Sequence, residues 1–234
     1  MLWLKRKLCV YNDIWKMQSD KSERSLCMKV LLLNGSPHEF GCTYTALREV
    51  AGALEKGGVE TEIFWIGSKP QGGCIACGAC GKTGKCAFDG GVNDFAQRAQ
   101  TADGFVFGSP VHYAAASGNL TGFLDRLFYS APQGTFRLKP AAVVVSARRG
   151  GTTAAYEQLL KYPGISEMPI ISSRYWNMVH GATPDDVRQD EEGMACMRVL
   201  GANMAYFLRC REAAERAGIE MPAEEPRVWT NFIR

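Results

Sequence analysis

Apolar runs and amphipathic stretches alternate along most of the chain. Residues 29–33, 104–108 and 141–145 are almost wholly apolar, and such runs predict strands buried on both faces, as in a parallel sheet. Residues 59–66 mix polar and apolar side chains, as an edge strand does, and a fifth strand is expected within residues 169–175. Strands that alternate with helices predict an α/β fold, a doubly wound parallel sheet with helices on both faces.

Between the strands, apolar residues recur at the spacing of an amphipathic helix. Capping residues and helix breakers give the expected ends of several helices. We expect helices over residues 47–54, over 93–100 with Asn93 as the cap, over 120–128, over 153–161 ending before Pro163, and from Thr183 through a long last helix to about Gly218.

The chain of 234 residues is long enough for one α/β domain with extensions. Residues 28–218 carry the alternating pattern and include a glycine- and cysteine-rich loop over 72–90. Residues 1–27 lack a clear period and are expected to form a poorly ordered extension. Residues 219–234 contain two prolines and are expected to be an irregular tail. Charged and polar residues interrupt the apolar start of the chain, which argues against a secretory signal.

The composition limits the classes of partner and the cellular compartment that we expect for this protein. A net charge of +3 is too small to indicate a nucleic-acid or membrane partner, and no apolar run reaches transmembrane length. Nine cysteines without a signal indicate a reducing compartment, where thiols serve metals or redox chemistry more often than disulfides. We therefore expect a cytoplasmic protein.

Three loops at the carboxyl ends of the predicted strands have unusual compositions. Residues 36–45 bring hydroxyl groups and backbone N–H groups to the start of a helix, where an anion such as phosphate is favoured. Residues 109–120 contain aromatic side chains beside a proline, and residues 146–153 contain two glycines that allow close approach to a ligand. Ordinary turns would also explain each loop, but three at one edge of a parallel sheet favour a binding site.

Several motifs in these loops resemble those of a known family. G-S-P-x-x-x-G-x-T over residues 35–43, G-S-P-V-x-Y over 108–113 and S-G-N-L-x-x-F-L-D-R over 117–126 resemble the flavodoxin-like NADPH-dependent FMN reductases, a group that includes the iron–sulfur flavoproteins. Residues 172–181 resemble one branch of these proteins. The resemblance covers roughly residues 28–218. It implies five parallel strands in the order 2-1-3-4-5, FMN as the cofactor, and a homodimer or homotetramer.

The resemblance also assigns site residues. Cys42 stands where family members often have Asn, and His112 stands where they often have an aromatic residue such as Tyr. The matching positions are Ser36, Cys42, Thr43 and Tyr44 for the FMN phosphate, Pro110, Val111, His112 and Tyr113 along the isoalloxazine, and Ser146, Gly150 and Gly151 for a third contact loop.

Four cysteines form the sharpest metal signal in the chain, with the spacing C-x2-C-x2-C-x5-C. Closely spaced thiolates can hold a [4Fe–4S] cube, nearby glycines let the backbone fold round it, and Lys82 and Lys85 would offset its charge. The spacing also resembles that of the iron–sulfur flavoproteins. Structural zinc, a redox-active pair of Cys77 and Cys80, and a loop without metal remain alternatives. The four candidate ligands are Cys74, Cys77, Cys80 and Cys86.

The remaining candidates have simpler interpretations. Cys196 and Cys210 are expected to be buried packing residues of the last helix. His180, Tyr175 and Trp176 are expected to serve packing or an interface. No Ser/His/Asp arrangement or pair of carboxylates indicates acid–base catalysis.

The expected function is electron transfer from NAD(P)H through FMN to a small acceptor, such as a flavin or quinone. The flavin would carry the chemistry, so no side chain is assigned as a catalytic acid or base. One alternative is an electron carrier in which FMN and a [4Fe–4S] cluster receive electrons from a ferredoxin. A second alternative is a non-enzymatic module that binds metal or senses redox state.

Overall fold

The sheet has the predicted strand order. The computed structural model of the chain describes residues 28–226, 228, 230 and 232, and the predicted N-terminal extension lies outside these residues. When only the five parallel strands are counted along the chain, their order in the sheet is 2-1-3-4-5, which confirms the flavodoxin-like arrangement. A further strand of two residues pairs antiparallel with the end of the third strand. The strands are β1 (Lys29–Asn34), β2 (Glu60–Trp65), β3 (Gly104–His112), β4 (Ala115–Ala116), β5 (Ala141–Ala147) and β6 (Met178–His180).

Helices cover both faces of this sheet. One face packs against the helices of residues 92–101, 118–130 and 152–165, and the other packs against the helices of residues 42–56, 184–189 and 191–216. No helix among the described residues is both long and apolar enough to cross a membrane. The helices are α1 (Cys42–Lys56), α2 (Cys80–Thr83), α3 (Val92–Thr101), α4 (Gly118–Ser130), α5 (Thr152–Ile165), α6 (Pro184–Gln189) and α7 (Glu191–Arg216).

Strand β1 lies at the centre of this arrangement. Leu31 and Leu33 belong to the core on one face, and Val30 and Leu32 belong to the core on the other. All four side chains are fully buried. Alternate side chains of a strand point to opposite faces, so an unbroken apolar run is what a central parallel strand requires.

Helices α1 and α7 approach each other very closely. A methyl group built at Gly201 of α7 would lie 2.5 Å from the carbonyl oxygen of Val50 and 2.7 Å from the Cβ of Ala53 in α1. Only a residue without a side chain fits at this contact. The glycine therefore lets two backbones meet where any larger residue would separate them.

Two element boundaries differ from the prediction. Residues 169–175 form only an isolated bridge between Ala141 and Ile170, and the fifth parallel strand begins later, at Met178. Ser173 accepts from the N–H of Tyr175 and donates to its carbonyl oxygen, so a local turn stands where the strand was predicted. Helix α5 continues through Pro163 to Ile165 rather than ending before the proline.

The last predicted helix is divided into two. Thr183 and Asp186 form a capping box at the start of α6, as the cap signal predicts, and Asp190 then caps α7 as a separate helix. Cys196 is buried as expected, but Cys210 is exposed, so its predicted packing role is wrong. Residues 219–226 contain no helix or strand, as expected for the tail.

Candidate functional site

The first candidate loop is held in a tight turn by its own side chains. Asn34, the last residue of β1, accepts from the N–H of Ser36 at 3.1 Å and donates to the carbonyl oxygen of Glu39 at 2.8 Å. The hydroxyl oxygen of Ser36 accepts from the N–H of His38 at 3.1 Å and is almost fully buried. Ser36 keeps its own O–H free to donate, as a phosphate contact requires.

The start of α1 offers uncapped backbone donors beside this turn. Gly41 occupies the N-cap position, and no side chain caps the helix. The first N–H groups of a helix have no partner within the helix, and the helix dipole makes this end electropositive. These N–H groups belong to Cys42, Thr43 and Tyr44, which are three of the four residues assigned to phosphate.

A buried hydrogen bond connects the first loop with the third. The hydroxyl groups of Thr43 and Ser146 lie 2.8 Å apart, and the two residues are only 1% and 3% exposed. The carboxyl ends of β1 and β5 are thereby fixed relative to each other. Two of the three contact loops predicted from the resemblance therefore meet.

The thiol of Cys42 has a different environment. Its Sγ lies 3.7 Å from the carbonyl oxygen of Gly181, in the segment between β6 and α6. Burial raises the pKa of the Cys42 thiol above its ordinary value, and the nearby carboxylate of Asp186 adds to this effect. The side chain is thus engaged away from the turn at Ser36, whereas the backbone N–H of Cys42 lies at the start of α1.

We expect Cys42 to react with iodoacetamide at least about tenfold more slowly than exposed Cys210 at pH 7.5. The thiolate is the reactive form, so a raised pKa lowers its fraction at any pH below that pKa, and the rate should increase as the pH rises through the raised value. Peptide mapping by mass spectrometry on the metal-free protein would measure both rates. Equal alkylation rates for the two cysteines would contradict the raised pKa of the Cys42 thiol. So would a pH profile of the Cys42 rate whose midpoint lies at or below that of a free cysteine.

The second candidate loop forms a short hairpin. Strands β3 and β4 pair through Val111 with Ala116 and His112 with Ala115. Tyr113 makes the turn with a φ of 49°, followed by an alanine whose φ is also positive, and such a pair is typical of tight hairpins. His112 and Tyr113 are exposed at the tip, where no described side chain covers them. Pro110 and Val111 lie at the half-buried base.

The third loop touches this hairpin. Gly151 has a φ of 95°, and a methyl group built there would lie 2.6 Å from the Cα of Ala114 in the hairpin turn. A side chain at Gly151 would therefore push the two loops apart. Gly150, its neighbour, is exposed and has open space around it. All three predicted loops are in contact at one edge of the sheet.

Trp65 is a contributor that the sequence interpretation missed. It ends β2, and its Nε1–H donates to the carbonyl oxygen of Ser36 at 2.8 Å. This bond connects the turn after β1 with the segment that leads into the cysteine-rich loop. The available signal was a tryptophan at the end of an edge strand, directly before a glycine-rich loop.

The four cysteines of that loop line one small cavity, together with Arg126 and Ser130 of α4. Cys74 and Cys77 are exposed to solvent, and Cys80 and Cys86 are partly covered. The loop thus gathers all four predicted ligands on one side of α4. Within residues 28–226, no three or more His, Cys, Asp or Glu side chains are arranged to hold a metal ion.

Asn93 anchors one of these cysteines. Its Oδ1 accepts from the N–H of Cys86, and its Nδ2 donates to the carbonyl oxygen of the same residue, both at 2.9 Å. The prediction that Asn93 caps its helix is therefore wrong, because Gly91 occupies the N-cap position of α3 and the amide is used across the loop. The consequence is a fixed backbone at the fourth cysteine.

Solved structures of other proteins share the fold of this chain. RosB with bound 8-demethyl-8-formylriboflavin-5'-phosphate has a TM-score of 0.64 at 16% identity and is matched over 88% of this chain and 94% of its own. The NAD(P)H:quinone oxidoreductase from Methanothermobacter marburgensis has a TM-score of 0.57 at 16% identity, over 76% of this chain and 96% of its own. At such identities these structures establish the fold alone.

Sequence relatives are more specific. An iron–sulfur flavoprotein of Methanocaldococcus jannaschii is 30% identical over 192 residues, which cover 78% of this chain and 98% of the relative. One of Archaeoglobus fulgidus is 32% identical over 196 residues, covering 80% and 96%. Residues 28–183 match the family model that is described as NADPH-dependent FMN reductase. The chain therefore belongs to the NADPH-dependent FMN reductase family, in its iron–sulfur flavoprotein branch.

Proposed function

We propose that this protein oxidises NAD(P)H and passes the two electrons through FMN to a small acceptor such as a quinone or flavin, and that its cysteine loop holds a [4Fe–4S] cluster. The observation that carries the proposal is the position of four cysteines around one cavity, in a loop that starts beside the FMN-binding edge. When bound, FMN supplies two-electron and one-electron chemistry, and the cluster exchanges single electrons.

The residues at the sheet edge fit a flavin phosphate. Ser36 and Thr43 present hydroxyl groups, and the uncapped N–H groups at the start of α1 favour an anion. Gly150 leaves room at the third loop, and the exposed side chains of His112 and Tyr113 are available to cover a flat ring. These groups bind and orient the cofactor, and none is placed to act as an acid or base.

The spacing of the four cysteines supports a cube over a single ion. One zinc ion takes four thiolates at about 2.3 Å, so its ligands must converge on one point, and structural zinc sites usually supply them as two separated pairs. A cube takes one thiolate for each iron, so its ligands surround a larger volume. Exposed Lys82 and Lys85 supply positive charge at the rim of the loop. The iron–sulfur flavoproteins of similar sequence support the same choice.

A reduced ferredoxin is the second candidate for the electron donor. Cys74 and Cys77 are exposed at the surface, so a protein partner can approach the cluster without entering the FMN edge. The flanking lysines would favour an acidic partner. In this case the protein acts as an electron carrier, and NAD(P)H reduces the flavin slowly or not at all.

The test is to purify the protein without air, record its absorption spectrum and assay iron and sulfide on the same sample. We expect flavin bands with a broad shoulder, and about four iron and four sulfide for each chain. Stopped-flow mixing with NADPH, with NADH and with reduced ferredoxin then identifies the donor.

Each outcome separates the possibilities. Flavin bands without iron would leave an FMN-dependent reductase and overturn the cluster. Zinc without iron would favour the single-ion alternative. If ferredoxin reduces the flavin rapidly and NAD(P)H reduces it slowly, the protein is an electron carrier rather than an NAD(P)H-dependent enzyme. Failure to bind added FMN would overturn the proposal as a whole.

A further inference from the structure

Arg126 is a buried cation that forms no ion pair with any described residue. It lies on α4 in the wall of the cysteine cavity and is only 4% exposed. Among the described residues, no carboxylate oxygen lies within 4 Å of its guanidinium nitrogens. A buried charge is costly unless a nearby group compensates it.

The hydrogen bonds of Arg126 go only to uncharged oxygens. The guanidinium donates to the carbonyl oxygens of Asp89 at 2.6 Å and Phe88 at 3.2 Å, to the side-chain oxygen of Gln71, and weakly to the carbonyl of Gly122. These contacts satisfy several N–H groups, but they leave the positive charge uncompensated. The four cysteines of the same cavity wall are the described groups that would carry negative charge as thiolates.

Ser130 makes a second unusual contribution one helical turn further along α4. Ser130 is 7% exposed, and its buried hydroxyl group has no hydrogen-bond partner within the part of the chain that the structure describes. It lines the same cavity as the four cysteines. Residues four apart lie on one face of a helix, so Arg126 and Ser130 stand one above the other. A buried hydroxyl without a partner is rare in folded proteins and requires an explanation.

We infer that Arg126 and Ser130 are positioning residues for the reduction potential of the cluster: the guanidinium compensates the negative charge of the cysteine-bound centre, and the hydroxyl donates to one of its sulfurs. This inference rests on the proposed cluster. A cluster held by four thiolates is anionic and gains a further negative charge on reduction. A nearby buried cation and a donor to sulfur both favour the reduced form, so both raise the potential.

A purely structural role for Arg126 makes a different prediction. In that case the side chain would only hold the carbonyls at Phe88 and Asp89, and variants would change the stability of the loop and the iron content. The potential of the clusters that remain would be unchanged. Ser130 donates to nothing in the described protein, so a structural role gives no reason for Ser130→Ala to move the potential.

The experiment is a redox titration of the cluster followed by electron paramagnetic resonance, on protein purified without air. We expect Arg126→Gln to lower the equilibrium constant for reduction about tenfold, which is about 59 mV for a one-electron couple. Ser130→Ala should lower it about threefold, and Arg126→Lys, which keeps the charge, should shift it less than Arg126→Gln. Arg216→Gln removes an exposed charge at the end of α7, on the opposite face of the sheet, and should leave the potential unchanged.

Iron, sulfide and FMN contents are measured on every variant. A loaded cluster whose potential is the same in wild type, Arg126→Gln and Ser130→Ala would overturn the inference and leave the proposed function intact. If Arg126→Gln loses its cluster, an unchanged potential in Ser130→Ala overturns the inference and a lowered one supports it. Wild-type protein without iron would overturn the cluster and this inference together.

Discussion

Removing the hydroxyl groups of Ser36 and Thr43 together is expected to weaken FMN binding about 100-fold. A hydrogen bond to a charged group contributes about 1.5–3 kcal/mol, so two lost bonds to the phosphate, each at the lower end of this range, cost about 3 kcal/mol, or about two powers of ten in affinity. Both hydroxyls lie at the start of α1, beside backbone N–H groups that favour the same anion. Titration of apo-protein with FMN, followed by flavin fluorescence, measures the dissociation constant of the Ser36→Ala/Thr43→Ala variant.

Riboflavin is the matched control, because it has the same ring and lacks the phosphate. The variant should bind riboflavin nearly as well as wild type does, so that the preference for FMN over riboflavin almost disappears. An equal loss of affinity for both ligands would indicate a distorted loop, since Thr43 also bonds Ser146. Unchanged FMN affinity would refute the assignment of this loop to the phosphate.

A second large effect is expected from Gly201→Val, which should lower the free energy of unfolding by about 3 kcal/mol. The new Cβ would lie 2.5 Å from a backbone carbonyl of α1, and neither helix can move without opening the core between them. For a domain of this size the loss corresponds to a decrease in Tm of about 10 °C. Thermal unfolding followed by circular dichroism measures it.

Gly52→Ala is the control for Gly201→Val. Gly52 also lies within a helix, α1, but a methyl group there would contact nothing within 4 Å. Alanine is the better helix former by about 1 kcal/mol, so this substitution should stabilise the protein slightly. If both variants change the Tm by similar small amounts, the close contact between α1 and α7 is not as rigid as the structure indicates.

The fold was largely predictable because its strongest signals are local. Runs such as residues 30–33 and 141–145 report burial on both faces directly, and alternation with amphipathic helices leaves few topologies. The fifth strand was misplaced because residues 169–175 are apolar and aromatic enough for a strand, whereas the turn at Ser173 and the pairing of Met178 with Val145 decide the real register. That pairing is a long-range contact, which periodicity does not encode.

The site was predictable in its loops and not in the contacts between them. Glycines, hydroxyl-bearing residues and cysteines can be identified as candidates from their type and spacing in the sequence. Trp65 and Asn93 do not, because each acts on a backbone group distant from it in the chain or across a loop. Arg126 was visible within a motif, but its importance depends on the absence of an acid beside it, and this is a property of the folded protein.

Helix α4 connects the two parts of the site, and this limits which changes of length the protein tolerates. It begins next to Ser117, at the end of the hairpin loop, and it ends at the cysteine cavity with Ser130. One residue inserted before Arg126 would rotate every later side chain by about 100° and turn both cavity residues away. The exposed stretch between Lys82 and Lys85 is held as well, because the hydroxyl group of Thr83 contacts the carbonyl oxygens of Ala79 and Lys85. Insertions before Arg126 are therefore incompatible with this helix.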